Sequence, residues 1–230
     1  MSSYAISDIH GCAKTFQALL KKISLKKEDQ LFLLGDYINK GPSSKEVLDI
    51  IFGLKKSGYH VTCLRGNHDQ MLIEVQLGNV SGSWEYSLEK RNTLESFEVK
   101  SPFHIPEVYI SFLNDLKYYV ETEKYFLVHA GFDFRSSLYL NDVGAMLNIK
   151  NFHIPPGKLF GKRIIRGHVP SPLSKTLSDI KGGAEIIGID GGCVYYNNLE
   201  FGNLWALDLD SLHIITQTNL DRPYRINLKK

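Results

Sequence analysis

Leu64-Arg65-Gly66-Asn67-His68-Asp69 is the stretch on which the fold of this chain turns. The residues leading into it, His60-Val61-Thr62-Cys63-Leu64, form a β-branched run that reads as a buried strand. The run stops at Gly66, where the backbone is free to turn sharply or to approach another group closely. Asn67 and His68 follow at the mouth of a helix predicted over Gln70 to Leu77. One turn at a strand end therefore presents a neutral oxygen ligand beside an imidazole. Taken singly, Asn and His at strand ends are ordinary turn or surface residues. Other strand ends repeat the cargo, with Asp8 and His10 on one, Asp36 on the next, and His129 and His168 on two later ones. Five such motifs in one order point to a shared site.

Outward from this stretch, the first half alternates. Tyr4-Ala5-Ile6-Ser7 is a short strand ending at Asp8. A helix from Ala13 to Ile23 carries Phe16, Leu19, Leu20 and Ile23 on one face. Leu31-Phe32-Leu33-Leu34 is an unbroken apolar run, the pattern of a strand buried on both faces, and it ends at Gly35-Asp36. The loop Asn39-Lys40-Gly41-Pro42-Ser43 leads into a helix from Ser44 to Lys56 with Ser43 or Ser44 as N-cap. This alternation argues for parallel α/β construction. From Gly78 to Pro106 the pattern loosens, with Trp84, Tyr86, Arg91 and Phe97 among polar residues, and a long excursion of this kind reads as a cap over the site. A helix from Glu107 to Leu116 follows, then strands over Lys117–Val120 and Tyr125–Val128. Short elements fill Phe132 to Lys158, and Arg163–Arg166 is a further strand. The tail is β-rich, with strands expected over Ala184–Ile189, Cys193–Tyr196, Leu204–Leu209 and Leu212–Thr216. Two halves packed face to face around one site, in a single domain over residues 1–230 with a cap insertion around 79–105, is the expected organisation.

Composition narrows the function. The 230 residues are 43% hydrophobic and carry a net charge of +2, which gives no sign of a nucleic-acid or membrane protein. No apolar run approaches a membrane span, and Met1-Ser2-Ser3 runs directly into a strand without a leader pattern. Cys12, Cys63 and Cys193 are odd in number and widely spaced, against both structural zinc and a disulfide framework, so a cytoplasmic location is expected. Asp, His and Asn without paired cysteines suit one or two first-row divalent metals. Two such metals, about 3.5–4 Å apart, lower the pKa of a bridging water and clamp a phosphoryl group for in-line attack.

Ser7-Asp8-Ile9-His10-Gly11, Gly35-Asp36 with Gly41, Arg65-Gly66-Asn67-His68-Asp69, Val128-His129-Ala130-Gly131 and Gly167-His168 resemble the five motifs of the metal-dependent phosphoprotein phosphatase family. The nearest branch is the bacterial and phage type, which includes serine/threonine phosphatases and symmetrical diadenosine tetraphosphatases. The likeness spans roughly residues 4 to 209, including the tail Ile189-Asp190-Gly191-Gly192-Cys193-Val194-Tyr195 and Leu204-Trp205-Ala206-Leu207-Asp208-Leu209. It implies an α/β calcineurin-like metallophosphoesterase sandwich, with two mixed β-sheets flanked by helices. It also implies roles: Asp8 and His10 on the first metal, Asp36 bridging, Asn67, His129 and His168 on the second, and His68 giving a proton to the leaving oxygen. Manganese is the expected metal, with iron, zinc or nickel as alternatives. Pro170 stands where nucleases and phosphodiesterases of the superfamily usually place another histidine, which argues against a nuclease.

The chain departs from the pattern in three places. Asn39-Lys40 replaces an Asp-Arg pair whose aspartate supports the catalytic histidine and whose arginine grips phosphate. Asn39 brings no charge, and Lys40 keeps the charge but loses the planar fork. Lys150 stands where the second phosphate-gripping arginine is expected, in Met146-Leu147-Asn148-Ile149-Lys150-Asn151-Phe152. Thr93-Leu94-Glu95-Ser96-Phe97 resembles the tetraphosphatase branch, but Glu89 and Lys90 replace a glycine pair. The leading expectation is a serine/threonine-phosphatase-like phosphomonoesterase acting through a bridging metal hydroxide. A symmetrical bis(5'-nucleosyl)-tetraphosphatase is the alternative, so the partner is a phosphoprotein or a dinucleoside polyphosphate, with the oligomeric state left open. A reading of another class is a metal-containing binding protein with impaired turnover. Asn39 motivates it, and retention of His68 with all six ligands stands against it.

Overall fold

The structure, a computed structural model, describes residues 1–79 and 87–222. Trp84 and Tyr86 of the expected cap lie outside the described residues. Two sheets form the centre. The larger has strand order β3 (His60–Cys63), β2 (Gln30–Leu33), β1 (Ser3–Ile6), β8 (Asn203–Asp208) and β9 (Ile214–Thr218). The smaller has the order β4 (Tyr119–Glu121), β5 (Tyr125–Val128), β6 (Arg163–Arg166) and β7 (Ile186–Gly188). β1, β2 and β3 run parallel, as do β5, β6 and β7, while β8, β9 and β4 join antiparallel. Both sheets are therefore mixed, as expected.

Period-two alternation places the core. Along β2, Leu31 and Leu33 face the helices, whereas Phe32 and, just beyond it, Leu34 face the second sheet. Along β5, Tyr125 and Leu127 face the first sheet, and Phe126 and Val128 pack outward with Phe132 and Met146. In β8, Trp205 and Leu207 fill the layer between the sheets, and Leu204 and Ala206 point the other way. These strands are buried on both faces, which is why they read as unbroken apolar runs. The outer layer of the first sheet is built from α1 (Ala13–Lys22), α2 (Ser44–Lys56), α3 (Asn67–Gln76) and α5 (Glu107–Asn114). α4 (Leu88–Ser96) packs on α2, α6 (Val143–Asn148) lies beside the second sheet, and α7 (Leu173–Lys181) packs on β7.

Several expectations change. β3 is the edge strand of its sheet, with His60 exposed and Val61 and Thr62 half-buried, so the β-branched run marks strand propensity and not full burial. β8 pairs with β1 and β9 pairs with β8, so the tail completes the first sheet and does not form a separate half. Cys193–Tyr196 is a turn segment, because the backbone from Gly191 to Gly202 folds back on itself through Tyr195 N–H to Gly192 O (2.8 Å) and Gly202 N–H to Gly192 O (2.9 Å). The helix after Gly66 starts at Asn67, three residues earlier than expected, which puts Asn67 and His68 in its first turn.

Candidate metal centre and active site

The parallel strands deliver the site. β1, β2 and β3 end at one edge of the first sheet, and β5 and β6 end at the matching edge of the second. Ligand-bearing residues follow each of these five ends, where α/β sheets bind their ligands. Asp8, His10, Asp36 and His168 are held at φ of +51°, +47°, +56° and +68°. Left-handed backbone at non-glycine residues costs on the order of 1–3 kcal/mol each and concentrates at functional sites. Gly66 and Gly167 permit the crowding, since a Cβ on Gly66 would overlap Asp36 and one on Gly167 would overlap Ser7 and Asp8.

All six predicted ligand residues converge. Asp8, Asp36 and His129 offer donor atoms within 4.8 Å of one another, as do His10, Asp36 and His68. Asp36 is common to both groups, with Oδ2 3.3 Å from His10 Nε2 and Oδ1 3.6 Å from His129 Nε2. Asn67 Oδ1 lies 3.0 Å from His129 Nε2 and 3.1 Å from His168 Nδ1.

The donor set fits a cation on two physical grounds. His129 Nδ1 lies 2.9 Å from the Leu34 carbonyl and His10 Nδ1 lies 3.0 Å from the Ile38 carbonyl, so each Nδ1 carries the proton and each Nε2 presents a lone pair. Burial pushes both imidazoles below their ordinary pKa, so both rings are neutral at pH 7. His129 Nε2 and Asn67 Oδ1 thus face each other at 3.0 Å as two acceptors, an arrangement that a cation between them satisfies. The carboxylates give the second ground. Burial, then the Asp8 charge, lifts Asp36 to about 8, and burial, then Asp8, pushes Asp190 well above its ordinary range. Neutral histidines and charge-starved carboxylates are what a divalent ion requires. Asp8, His10, Asp36, Asn67, His129 and His168 would hold it. His168 Nε2 is buried without a hydrogen-bond partner among the described residues, and burial first, then His129, lowers this ring to about 4.

The remaining predicted residues sit around this centre. His68 packs edge-on against His10 with ring centroids 4.8 Å apart. Asn39 is fully buried and lies with Nδ2 3.2 Å from His68 Nδ1. Lys40 Nζ is 2.8 Å from His10 Nε2 and 5.7 Å from the Tyr195 ring centroid. Burial disfavours its charge, but Tyr195, Asp36, Asp8 and Asp190 outweigh that and leave its pKa above the ordinary value. Lys150 is exposed at the rim of a cleft of about 760 Å³ that also takes in Lys40, Lys90, Tyr195 and Phe201.

Two residues had no role assigned from sequence. Asp69 Oδ2 accepts from the backbone N–H of Gly66 (2.9 Å) and Asp36 (2.8 Å), and Oδ1 accepts from Tyr37 N–H (3.1 Å). It ties the second motif to the third. An acidic residue at the third position of a helix is the legible signal. Thr93 of α4 is fully buried, accepts the Asn39 backbone N–H at 3.0 Å and donates its hydroxyl to Asn39 Oδ1 at 2.8 Å. With Oδ1 committed to Thr93, Asn39 must turn its NH2 toward His68. The only sequence sign of this was the resemblance around Thr93.

Residues 1–208 match the calcineurin-like phosphoesterase family. The chain belongs to this family. A symmetrical bis(5'-nucleosyl)-tetraphosphatase of Pseudomonas fluorescens (strain Pf0-1) is 30% identical over 189 residues, covering 79% of this chain and 58% of that protein. One from Buchnera aphidicola subsp. Acyrthosiphon pisum (strain Tuc7) is 46% identical over 79 residues, covering 34% of this chain and 28% of its own length. The chain thus spans less than two thirds of either relative. Among solved structures, a candidate diadenosine tetraphosphatase superposes with a TM-score of 0.64 at 21% identity, covering 96% of this chain and 95% of that one, and confirms the calcineurin-like fold. Among the described residues no helix is long and apolar enough to cross a membrane.

Proposed function

We propose that this phosphoesterase hydrolyses phosphoanhydrides of nucleotides, as a symmetrical dinucleoside tetraphosphatase, with the described part of the expected cap, residues 87–105, bordering its site through Ser87, Lys90 and Thr93. The observation that carries this reading is the Asn39 amide against His68 Nδ1. A serine or threonine phosphate must expel an alkoxide, which needs a full proton from an imidazolium. An imidazolium carries N–H at both nitrogens, and the Asn39 NH2 opposes a second N–H at Nδ1. Burial, then Lys40, lowers the His68 pKa further. A departing nucleoside diphosphate has a phosphate oxygen whose conjugate acid has a pKa of about 6, so it leaves with little help. His68, neutral with its proton on Nε2, supplies a hydrogen bond to that oxygen, which is enough. The relatives' names favour the same substrate over a phosphoprotein.

The bound metals, manganese in this reading, supply Lewis acidity and an activated water. The chain's own residues do the rest. Asp36, held by the His68 backbone N–H at 2.9 Å, keeps the ligand groups in register. Lys40, Lys90 and Lys150 line the cleft and balance the negative charge of a polyphosphate, and a single phosphomonoester does not need three cations. Water oxygen bonds to phosphorus as the bridging P–O bond breaks, giving two nucleoside diphosphates. A panel of diadenosine tetraphosphate, phosphoserine peptide and 4-nitrophenyl phosphate, run with manganese, tests the proposal. The expected order of kcat/KM places the tetraphosphate first. A phosphopeptide preference would return the function to a protein phosphatase, and no turnover of any substrate would favour a binding protein.

A further inference from the structure

A second groove of about 630 Å³ adjoins the catalytic cleft. The two share a wall of Lys150, Val169 and Pro170, and the last two directly follow the ligand residue His168. The groove lies between the segment around Phe152 and the start of α7, with Arg166 of β6 in its lining. Its walls are fixed. Arg166 Nη1 donates to the carbonyls of Ala130 (3.0 Å) and Lys150 (2.9 Å), and its guanidinium lies 5.6 Å from the Phe152 ring centroid. Phe152 packs so closely on Gly131 that a Cβ there would overlap the ring. Exposed Lys175, paired with Asp179 at 2.5 Å, and exposed His153 stand along the opening. The groove thus offers a half-buried aromatic face, proline walls and a rim where Lys150, Arg166 and Lys175 stand with Asp179 and Glu185, within the ~300–1,000 Å³ of small-molecule sites.

We propose that this groove seats the second nucleoside diphosphate half of the substrate, the first lying in the cleft beside Tyr195 and Phe201. The inference rests on the nucleotide reading above. A dinucleoside tetraphosphate cut at its centre must extend both ways from the metal centre, and two cavities meeting beside His168 provide a place for each end. A phosphomonoester would use only the cleft.

The test is the double substitution His153→Glu with Lys175→Glu, which adds negative charge at the groove opening on two exposed side chains away from the metal ligands. Three substrates are compared with the native protein: diadenosine tetraphosphate, adenosine 5'-tetraphosphate, which has one nucleoside, and 4-nitrophenyl phosphate. The expected result is a KM for diadenosine tetraphosphate raised about three- to tenfold, the scale of exposed charge interactions, with kcat and 4-nitrophenyl phosphate turnover unchanged. The one-nucleoside compound should shift less than the two-nucleoside one. An unchanged KM for diadenosine tetraphosphate in a natively folded variant overturns the groove assignment while leaving the substrate class intact. Native protein that turns over 4-nitrophenyl phosphate but not diadenosine tetraphosphate overturns the nucleotide reading, and the groove assignment with it.

Discussion

Asn39→Asp should convert the specificity of the site toward alkyl phosphates. A carboxylate in place of the amide would lie about 3.2 Å from His68 Nδ1, as Asn39 Nδ2 does now. At an effective dielectric of about 20, unit charges at that separation attract by about 5 kcal/mol, an upper bound from which the cost of burying the new carboxylate is subtracted. What remains corresponds to a rise of about one to three units in the His68 pKa. His68 is now held low by burial and by Lys40, so its acid form is scarce at pH 7. The raised pKa restores that form, and general acid catalysis is typically worth ~10²–10⁴-fold. The expected gain is about 10- to 100-fold in kcat on a phosphoserine peptide, the lower part of that range because Lys40 still opposes the imidazolium. Diadenosine tetraphosphate, which hardly needs the proton, should gain less than about threefold on the same scale. The assay is kcat against pH for both substrates, with the basic limb moving to higher pH in the variant. An unchanged ratio of the two rates, with an unmoved limb, would refute the reasoning about position 39.

In the Asn39→Asp variant, His68→Ala should slow alkyl phosphate hydrolysis by about 10²-fold and 4-nitrophenyl phosphate hydrolysis much less, because the aryl oxide leaves unaided; equal losses would show that His68 is not the proton donor. Thr93→Val removes the hydroxyl that Asn39 Oδ1 accepts from, leaving a buried acceptor unpaired, and should lower unfolding stability by about 1–3 kcal/mol in a urea titration. Stability of the metal-free chain should fall as pH rises from about 6.5 to 8. In that window Asp36, raised to about 8, and Asp69, raised to about 7 by burial and then Asp36, give up protons that the unfolded chain has already lost. The buried histidines act the other way only below their ordinary pKa of about 6.5, outside the window. Melting temperatures across it, with and without manganese, check this, and the metal should abolish the fall.

The convergence of the candidate ligand residues was legible because the chemistry and the chain geometry coincide. Each candidate ligand sits one to four residues past an apolar run, and parallel strands carry all such ends to one edge. Tyr125–Val128 and Ser44–Lys56 appear at their expected bounds because an unbroken apolar run marks the first and apolar residues at helical spacing mark the second, both local signals. What depends on distant pairing was hidden. Nothing in Leu204–Leu209 tells that it pairs with β1 some 200 residues away, and Cys193–Tyr196 looked like a strand because its residues are apolar while its neighbours are turn-forming. α7 was missed although Leu173, Leu177 and Ile180 have helical spacing, because two prolines just before it suggest a loop. Thr93 acts through a contact 54 residues away in sequence, so its part in aiming Asn39 is visible only in three dimensions.

The central claim is that six side chains hold the metals on which phosphoester hydrolysis depends. It is tested most directly by turnover of 4-nitrophenyl phosphate in protein whose metal content per chain has been measured by elemental analysis. The account predicts a rate that rises with bound metal to a plateau near two ions per chain, and an Asp36→Asn variant that both binds less metal and turns over more slowly. Full turnover by chelator-treated protein carrying no metal would contradict it.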